Sequence, residues 1–333
     1  MPAALAVSLG DPAGLGPELI VEAWTRREEE GLTPFFAVGG AGLLKAAAAV
    51  RGLDLVVERI TNPAEALAVF PAALPIFGEE DGAYQPGVPE PAGARLALAS
   101  LTEGAKLAIA GLAAGIVTGP IAKSRLAEVG FTHPGQTEFI AEACGVPAED
   151  AVMMLAGPSL RTVPLTVHVP LAAVPALVTS ALIERRTRIV AEWLRRDFGL
   201  ITPRIAIAAL NPHAGEDGRF GDEDQGTVAP AVAALRAVGI DASGPHPADA
   251  LFAPHARGGY DVAICMYHDQ ALIPIKALDF DAGVNVTLGL PIIRTSPDHG
   301  TAFAIAGKRL ANAGAMIAAI RMAGSCAARR TRA

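Results

Sequence analysis

The chain has 333 residues, of which 51% are hydrophobic and 18% charged, and its formal net charge is −7. This length and composition are typical of a globular chain with room for two domains, and they exclude a disordered one. Scattered arginines and an acidic balance argue against a nucleic-acid partner, which normally needs a basic stripe, but they allow an anionic small substrate.

The sequence also limits the cellular compartment. Its three cysteines are an odd number without metal-site spacing, which suits a reducing cytosol better than a disulfide framework. The first apolar run stops at Asp11 and follows no basic segment, so it is not a signal peptide. The most lipid-like segment, 107–122, is too short to cross a bilayer and is interrupted at Gly119 and Pro120. We therefore expect a soluble, cytoplasmic protein without a membrane partner.

The first predicted strand, 5–10, leads through a glycine-rich turn into a predicted helix at 19–30. The glycines around Asp11 and the proline at position 17 predict a tight strand-to-helix turn. Such a turn either directs N–H groups at an anion or is a plain connection, and its spacing leaves both interpretations open. It is neither the dinucleotide-binding glycine fingerprint nor a Walker loop.

Further apolar patterns alternate along the chain, which indicates α/β layers around a parallel sheet. They predict strands at 35–39, 53–60 and 114–120, a surface loop at 78–91, and helices at 91–110, 171–198, 228–238 and 305–323. Lys123 follows the strand at 114–120, either pointing into a site or simply solvated. Gln136 and Thr137 open a helix, where they offer hydrogen-bond donors, although Thr137 also suits a helix N-cap.

Three apolar, partly β-branched runs each end in one histidine: His168, His213 and His268. A lone histidine in such a run is more often a hydrogen-bonded core residue. Three of them, each at the end of a separate strand, favour a common site, because ligands of an open α/β sheet bind outside the carboxyl ends of its strands. Three imidazoles with an open fourth position predict a catalytic metal centre.

Other polar residues gather in the second half of the chain. The run 215–224 is acidic and glycine-rich, typical of a solvated loop or of a lid beside a site. Lys276, Asn285 and Arg294 each lie beside an apolar, strand-like run, and together they suit a carboxylate or phosphate. Taken singly, each of the three is more often a surface residue.

These residues belong to motifs that resemble the 4-hydroxythreonine-4-phosphate dehydrogenases of pyridoxal phosphate biosynthesis, the PdxA family. The resemblance extends from the first strand to the C-terminal helix. The motifs that carry it are 10–18, 118–123, 137–139, 210–215, 247–252, 266–270, 283–291 and 294–302.

The resemblance implies a function for many of the polar residues. His168, His213 and His268 would bind one divalent metal ion (Zn, Mg or Co). A phosphorylated amino-acid substrate would contact the residues at five positions: Gln136, Thr137, Lys276, Asn285 and Arg294. The family commonly carries a histidine where this chain has Gln136; glutamine donates a hydrogen bond but cannot become cationic, which leaves the choice of substrate open.

The segment 298–312 is similar to the adenine-binding loop of the isopropylmalate and isocitrate dehydrogenases. By that similarity, His299, Gly300 and Asn312 would bind NAD or NADP. The related fold implies two α/β/α-layer domains with an interdomain cleft, the first formed by 1–133 plus 285–333 and the second by 134–284. It also implies a homodimer with its active site at the subunit interface.

The implied reaction is oxidation of 4-phosphooxy-L-threonine by NAD(P)+ to a β-keto acid, which loses carbon dioxide to give 3-amino-2-oxopropyl phosphate. Lys123 and Asp269 are both candidates for the proton acceptor, and Asp249 or Asp269 for a residue that orients a metal-binding imidazole. The alternatives are a dehydrogenase for another phosphorylated four-carbon acid or a cyclic dihydrodiol, a phosphate acyltransferase, and a non-catalytic binding protein.

Overall fold

The structure, a computed structural model, describes residues 3–331. The chain divides into two compact units, of which the first runs up to Ala151 and resumes at Leu290, and the second is Val152–Gly289. Strands of both units alternate with helices along the chain, as the apolar patterns predict.

Within residues 3–331 the chain forms twelve strands. They are β1 Leu5–Ser8, β2 Phe35–Val38, β3 Val57–Ile60, β4 Leu74–Phe77, β5 Ile116–Thr118, β6 Val152–Ala156, β7 Arg161–Pro164, β8 Ile205–Ala208, β9 Ala242–His246, β10 Val262–Cys265, β11 Val284–Leu288 and β12 Arg294–Pro297.

The same residues form thirteen α-helices. They are α1 Gly16–Thr25, α2 Ala41–Arg51, α3 Ala66–Val69, α4 Pro91–Ile109, α5 Lys123–Ala127, α6 Gln136–Ala143, α7 Val174–Leu177, α8 Ser180–Phe198, α9 Ala229–Ala237, α10 Ala248–Leu251, α11 Pro254–Arg257, α12 His268–Asp279 and α13 Gly314–Arg330. None of these described helices combines the length and hydropathy that a bilayer span requires.

The first unit contains an all-parallel sheet in the order β3-β4-β2-β1-β5-β12. Every residue of β1, β2 and β5 is buried, which accounts for their continuous apolar runs, because helices cover both faces of a parallel sheet. Phe36 and Val38 pack in one hydrophobic cluster of this unit, and Leu101 of α4 packs with Ile116 in another.

The second unit contains a mixed sheet in the order β11-β6-β7-β10-β8-β9. Strand β6 is antiparallel to both β11 and β7, while β7, β10, β8 and β9 are parallel. The expectation of a parallel sheet is therefore wrong at β6. The connection from Ala156 to Arg161 is too short for a parallel crossover, and Asp279 holds it by accepting hydrogen bonds from the N–H and hydroxyl of Ser159.

Residues 134–151, assigned to the second domain from the sequence, lie in the first unit. Helix α6 causes this difference. Its residues Ile140 and Ala141 are fully buried in the same hydrophobic cluster as Leu101 and Ile116. The boundary therefore falls after this helix instead of before it.

Three predicted elements differ from the structure. The predicted helix at 171–198 is interrupted at Val178 and Thr179, which are extended, and the Thr179 hydroxyl caps α8 by accepting from the Leu182 N–H at 3.1 Å. The strand-like run around Lys276 is in fact helix α12. The C-terminal helix begins at Gly314, since Gly307 and Arg309 have φ values of 75° and 60°, which a right-handed helix excludes.

Candidate functional site

The three candidate metal ligands follow neighbouring parallel strands of the second unit. His168 lies just after β7, His268 just after β10, and His213 in a short 3₁₀ turn after β8. These strands are adjacent in the order β7-β10-β8. The carboxyl ends of parallel strands meet at one edge of a sheet, so all three histidines lie at the same edge.

Two of the three imidazoles face each other. The ring centroids of His168 and His268 are 5.8 Å apart, with an angle of 40° between the rings. Both residues line a cavity of about 270 Å³, together with Thr166, Tyr267 and Asp269 among others. Two imidazoles bound to one tetrahedral metal ion have centroids about 5 Å apart, given metal–nitrogen distances of about 2.0–2.1 Å. The observed pair therefore fits such an ion.

His213 does not join this pair within the one chain. Its ring contacts the ring of Phe220, with 6.1 Å between the centroids. In the part of the chain that the structure describes, no three His, Cys, Asp or Glu side chains are grouped closely enough to hold a metal ion. One chain therefore brings together two of the three predicted ligands.

Both His168 and His213 have left-handed backbone conformations, with φ values of 53° and 52°. Non-glycine residues adopt this region at a cost of ~1 kcal/mol or more and keep it only where their surroundings impose it. Such strain concentrates at functional sites. The backbone thus singles out two of the residues that the strand-end pattern indicates.

Two buried side chains, which the sequence analysis did not select, connect the histidine-bearing turns. The hydroxyl of Thr166 donates to the carbonyl of Met266 at 2.8 Å, which joins the turns of His168 and His268. Gln270 accepts from the Met266 N–H at 2.7 Å and donates to the carbonyl of Ala209 at 2.8 Å. The turns after β7, β10 and β8 are therefore braced against one another.

Of the two aspartates considered as orienting groups, one contacts a candidate ligand. Nδ1 of His268 lies 2.7 Å from Oδ1 of Asp269, so Nε2 is the ring nitrogen that this contact leaves for a ligand. Asp249 is exposed in the first turn of α10. None of the hydrogen bonds among residues 3–331 involves its side chain, so the structure does not connect Asp249 to the histidines.

A buried guanidinium marks a second candidate site, in the first unit. Arg294 is only 4% exposed, and its Nη2 donates to the hydroxyl of Thr118 at 2.8 Å. Gln136 lies beside it: Nη2 of Arg294 is 3.5 Å from Oε1 of Gln136, whose Nε2 donates to the carbonyl of Gly119 at 3.0 Å. Burial lowers the pKa of Arg294 to about 10, against the opposing effect of the Glu138 carboxylate.

Three other substrate or proton-transfer candidates lie near the ends of their elements. The N-cap of α6 is Gly135, so Thr137 lies within the first turn and is not the N-cap. Lys123 is exposed at the start of α5. In the second unit, the Nζ of Lys276 lies 5.8 Å from the ring of Phe280.

Asn285 carries a buried acceptor that lacks a partner. It lies in β11, and its Oδ1 is inaccessible to solvent, yet no donor among residues 3–331 reaches it. A buried polar atom without a hydrogen bond is costly. Such an atom suits a ligand that supplies an N–H or O–H group.

Several N–H groups of the N-terminal turn are already bonded within the chain. The N–H of Asp11 donates to the carbonyl of Pro120, that of Ala13 to the Asp11 side chain, and that of Leu15 to the carbonyl of Thr301. Of the two interpretations left open, the structure therefore favours the plain connection.

The candidate cofactor residues lie in the irregular segment 298–313. Nδ1 of His299 bonds to the carbonyl of Gly300 at 2.9 Å, and Oδ1 of Asn312 accepts from the Gly314 N–H at 2.8 Å. The Nε2 of His299 is buried, and no hydrogen-bond partner among residues 3–331 reaches it. The structure thus gives Asn312 a local capping contact and leaves one nitrogen of His299 available to a ligand.

A fully buried carboxylate that the sequence analysis missed fixes this segment. Glu18 accepts from the hydroxyl of Tyr84 at 2.8 Å and from the N–H of Gly307 at 2.6 Å, and it lies 3.5 Å from Arg51. Burial and this carboxylate together raise the pKa of Tyr84. Glu18 therefore ties the loop around Tyr84 and the segment 298–313 to α1.

Comparison with known proteins gives one consistent family. A family model described as pyridoxal phosphate biosynthetic protein PdxA matches residues 31–323. A 4-hydroxythreonine-4-phosphate dehydrogenase of Erythrobacter litoralis is 63% identical over 326 residues, which cover 98% of this chain and 97% of that protein.

Solved structures show the same relationship. The crystal structure of 4-hydroxythreonine-4-phosphate dehydrogenase from Klebsiella pneumoniae superposes with a TM-score of 0.86 at 37% identity, covering 98% of this chain and 99% of the other. A terephthalate 1,2-cis-dihydrodiol dehydrogenase from Burkholderia xenovorans superposes with a TM-score of 0.65 at 29% identity, covering 97% and 98%.

Proposed function

Because the chain belongs to the family of pyridoxal phosphate biosynthetic proteins PdxA, we propose that it is an NAD(P)-dependent 4-hydroxythreonine-4-phosphate dehydrogenase. It oxidises the hydroxyl-bearing carbon of 4-phosphooxy-L-threonine, and the resulting β-keto acid loses carbon dioxide to give 3-amino-2-oxopropyl phosphate. The observation that carries the proposal is the facing pair of imidazoles, His168 and His268, at the carboxyl edge of the second unit's sheet.

The phosphate binds at Arg294, Gln136 and Thr137. A phosphate accepts two parallel N–H bonds from an arginine fork, and such charge-assisted bonds are stronger in a buried environment. Gln136 contributes an uncharged amide, and the first turn of α6 adds the Thr137 hydroxyl. Lys276 and Asn285 bind the same substrate, Asn285 through the Oδ1 atom that lacks a donor.

His168, His213 and His268 would hold one divalent ion. The bound ion would supply Lewis-acid activation of the substrate hydroxyl and so lower its pKa. The contact of Asp269 with Nδ1 of His268 would leave Nε2 as the ligand atom. Of the two candidates for the proton acceptor, Asp269 is already engaged by His268, which favours Lys123. Zinc, magnesium and cobalt all remain admissible.

The segment 298–313 would hold NAD or NADP, which would supply the hydride acceptor. The buried Nε2 of His299 and the exposed residues Gly300 and Asn312 are the candidate contacts of the cofactor. Glu18 keeps this segment in place through the Gly307 N–H.

The active enzyme is a homodimer, and the partner subunit completes the metal site. Within one chain His213 stays apart from the other two histidines. Large apolar side chains of the second unit are open to solvent: Leu171, which lines the same cavity as the histidine pair, is 67% exposed, Ile273 65% and Phe280 74%. Exposed apolar surface of this kind is typical of a protein–protein contact, and a second copy of the chain is the occupant that also supplies an imidazole.

The test is NADH or NADPH formation from 4-phosphooxy-L-threonine, before and after the metal is stripped with a chelator. We expect activity to disappear on stripping and to return with added Zn²⁺, Mg²⁺ or Co²⁺. His268→Ala should abolish the recovery, whereas His255→Ala, an exposed histidine without an assigned role, should recover fully. Full activity in the stripped protein would contradict the metal-dependent mechanism.

A second candidate is oxidation of a different diol, as in the terephthalate dihydrodiol dehydrogenase of the same fold. The neutral amide of Gln136 favours this candidate. The anionic group of such a diol would be a carboxylate, which needs less positive charge around it than a phosphate does. A panel of 4-phosphooxy-L-threonine, other phosphorylated four-carbon hydroxy acids and cyclic dihydrodiols, compared by kcat/KM, separates the two. A higher kcat/KM for a dihydrodiol would replace the first proposal.

A further inference from the structure

A fully buried carboxylate lies behind the turn that carries His213. Asp224 is 0% exposed; its Oδ1 accepts from the Leu210 N–H at 2.7 Å and its Oδ2 from the Asn211 N–H at 3.0 Å. Both donors come just after β8, where sheet pairing has ended. Each oxygen therefore satisfies one backbone donor, and together they fix the chain two residues before His213.

Glu223, the residue before Asp224, contacts the same turn through a side chain. The side-chain Nδ2 of Asn211 donates to Oε2 of Glu223 at 2.8 Å. The loop between these residues requires glycine at two positions: Gly215 and Gly221 have φ values of 80° and 123°, and a Cβ on Gly215 would lie 2.9 Å from the carbonyl oxygen of Gly221. The acidic run 215–224 is thus anchored to the turn of His213 by Glu223 and the buried Asp224, while Glu216, Asp217 and Asp222 remain exposed to solvent.

The backbone beyond these contacts is strained. His213, Ala214, Glu216 and Asp217 all have positive φ values, between 42° and 55°. Non-glycine residues keep such values only where surrounding contacts impose them. Asp224 also begins a single π-helical turn, Asp224–Val228, and such turns occur frequently at functional sites.

We propose that Asp224 is a positioning residue that holds His213 in the conformation in which it binds the divalent metal ion. This inference rests on the proposed function, in which His213 is one of the ligands. Asp224 acts through the backbone of Leu210 and Asn211, and it does not itself contact metal or substrate.

The test compares Asp224→Asn with Asp222→Asn in the full-length protein. Asparagine turns an NH₂ group toward one of the two backbone N–H donors, whereas Asp222 is exposed on the same loop and loses the same charge. Titration calorimetry with Co²⁺ measures the dissociation constant. We expect Asp224→Asn to weaken Co²⁺ binding about 10- to 100-fold, the range for residues that support a metal ligand, and Asp222→Asn to change it by less than about 2-fold.

The His213→Ala variant shows whether Asp224 affects Co²⁺ binding through His213. If Asp224 acts through His213, Asp224→Asn costs no further Co²⁺ affinity when His213 is already alanine. A general structural role would lower the affinity by the same factor in both backgrounds, and that result would overturn the proposal.

Two outcomes separate this inference from the proposed function. If His213→Ala leaves Co²⁺ binding unchanged, the metal site itself is wrong. If His213→Ala weakens binding but Asp224→Asn matches Asp222→Asn, only the positioning role is wrong. Should Asp224→Asn fail to fold, Glu223→Ala removes the contact with the Asn211 side chain at a partly exposed position. We then expect a loss of Co²⁺ affinity smaller than that of His213→Ala, and unchanged affinity would refute the proposal.

Discussion

Nδ1 of His268 and Oδ1 of Asp269 are 2.7 Å apart, although the two residues are consecutive in the chain. A carboxylate in this position fixes the imidazole tautomer and makes Nε2 a better ligand. We therefore expect Asp269→Asn to weaken Co²⁺ binding about 10-fold or more, measured by calorimetry, and to lower kcat/KM in parallel.

Asp281→Asn provides the matched control for this prediction. Asp281 is exposed in the turn that follows α12, and its substitution removes the same charge. Its Co²⁺ affinity should equal that of the unmodified protein. Equal losses in the two variants would mean that Asp269 contributes only general electrostatic attraction.

Arg294→Met should separate folding from substrate binding. The guanidinium is buried, and burial lowers its pKa to about 10, so an apolar replacement of similar length removes a desolvation cost. We expect an unchanged or higher Tm. The KM for 4-phosphooxy-L-threonine should rise about 30-fold or more, because a buried, hydrogen-bonded charge is lost from the phosphate contact.

The exposed Arg329 of α13 supplies the comparison, and Arg329→Met should leave both Tm and KM unchanged. A large drop in Tm for Arg294→Met alone would contradict this prediction. It would show that Arg294 serves the fold more than the substrate.

Much of the fold could be predicted because several strands are buried throughout. The continuous apolar runs of β1, β2 and β10 can be recognised in the sequence without knowing which strands pair with them. Helix α12 was missed because its apolar residues surround Pro274, which disfavours a helix interior. The antiparallel direction of β6 was not predicted, because strand direction depends on the connection and not on the strand's composition.

The candidate site was predictable to a similar extent. Histidines at the ends of apolar runs stand out in the sequence, and the structure brings His168 and His268 together. The buried carboxylates Glu18 and Asp224 were not predicted, since an acid in a polar stretch normally indicates solvent. Glu18 is hydrogen-bonded by groups as distant along the chain as the Gly307 N–H, and such contacts leave no local pattern.

Thr179→Ala should destabilise the second unit without affecting catalysis. The Thr179 hydroxyl accepts from the Leu182 N–H and caps α8, and loss of an N-cap costs about 0.5–2 kcal/mol. Urea unfolding should show this loss, whereas Thr179→Ser should retain most of the stability. An unchanged unfolding free energy in Thr179→Ala would mean that water replaces the cap fully.

Gln136→His should introduce a pH dependence that the natural chain lacks at this position. The amide of Gln136 stays neutral, whereas an imidazole becomes cationic below a pKa of about 6.5, and the neighbouring Arg294 would shift that transition to lower pH. The quantity to measure is the affinity of the variant for a phosphorylated substrate divided by the affinity of the unmodified protein. This ratio should rise by roughly 5-fold as the pH falls from about 8 to about 6, which is the gain typical of a charge-assisted bond.

The phosphate of the substrate itself takes up a proton near pH ~6. Because this affects both proteins equally, dividing the affinity of the variant by that of the unmodified protein removes it. Gln136→Asn, which remains neutral, should lower the affinity by the same factor at every pH. If the Gln136→His ratio also stays constant across this range, the side chain at position 136 does not contact the phosphate. The substrate's anionic group would then depend on Arg294 and the other proposed contacts alone.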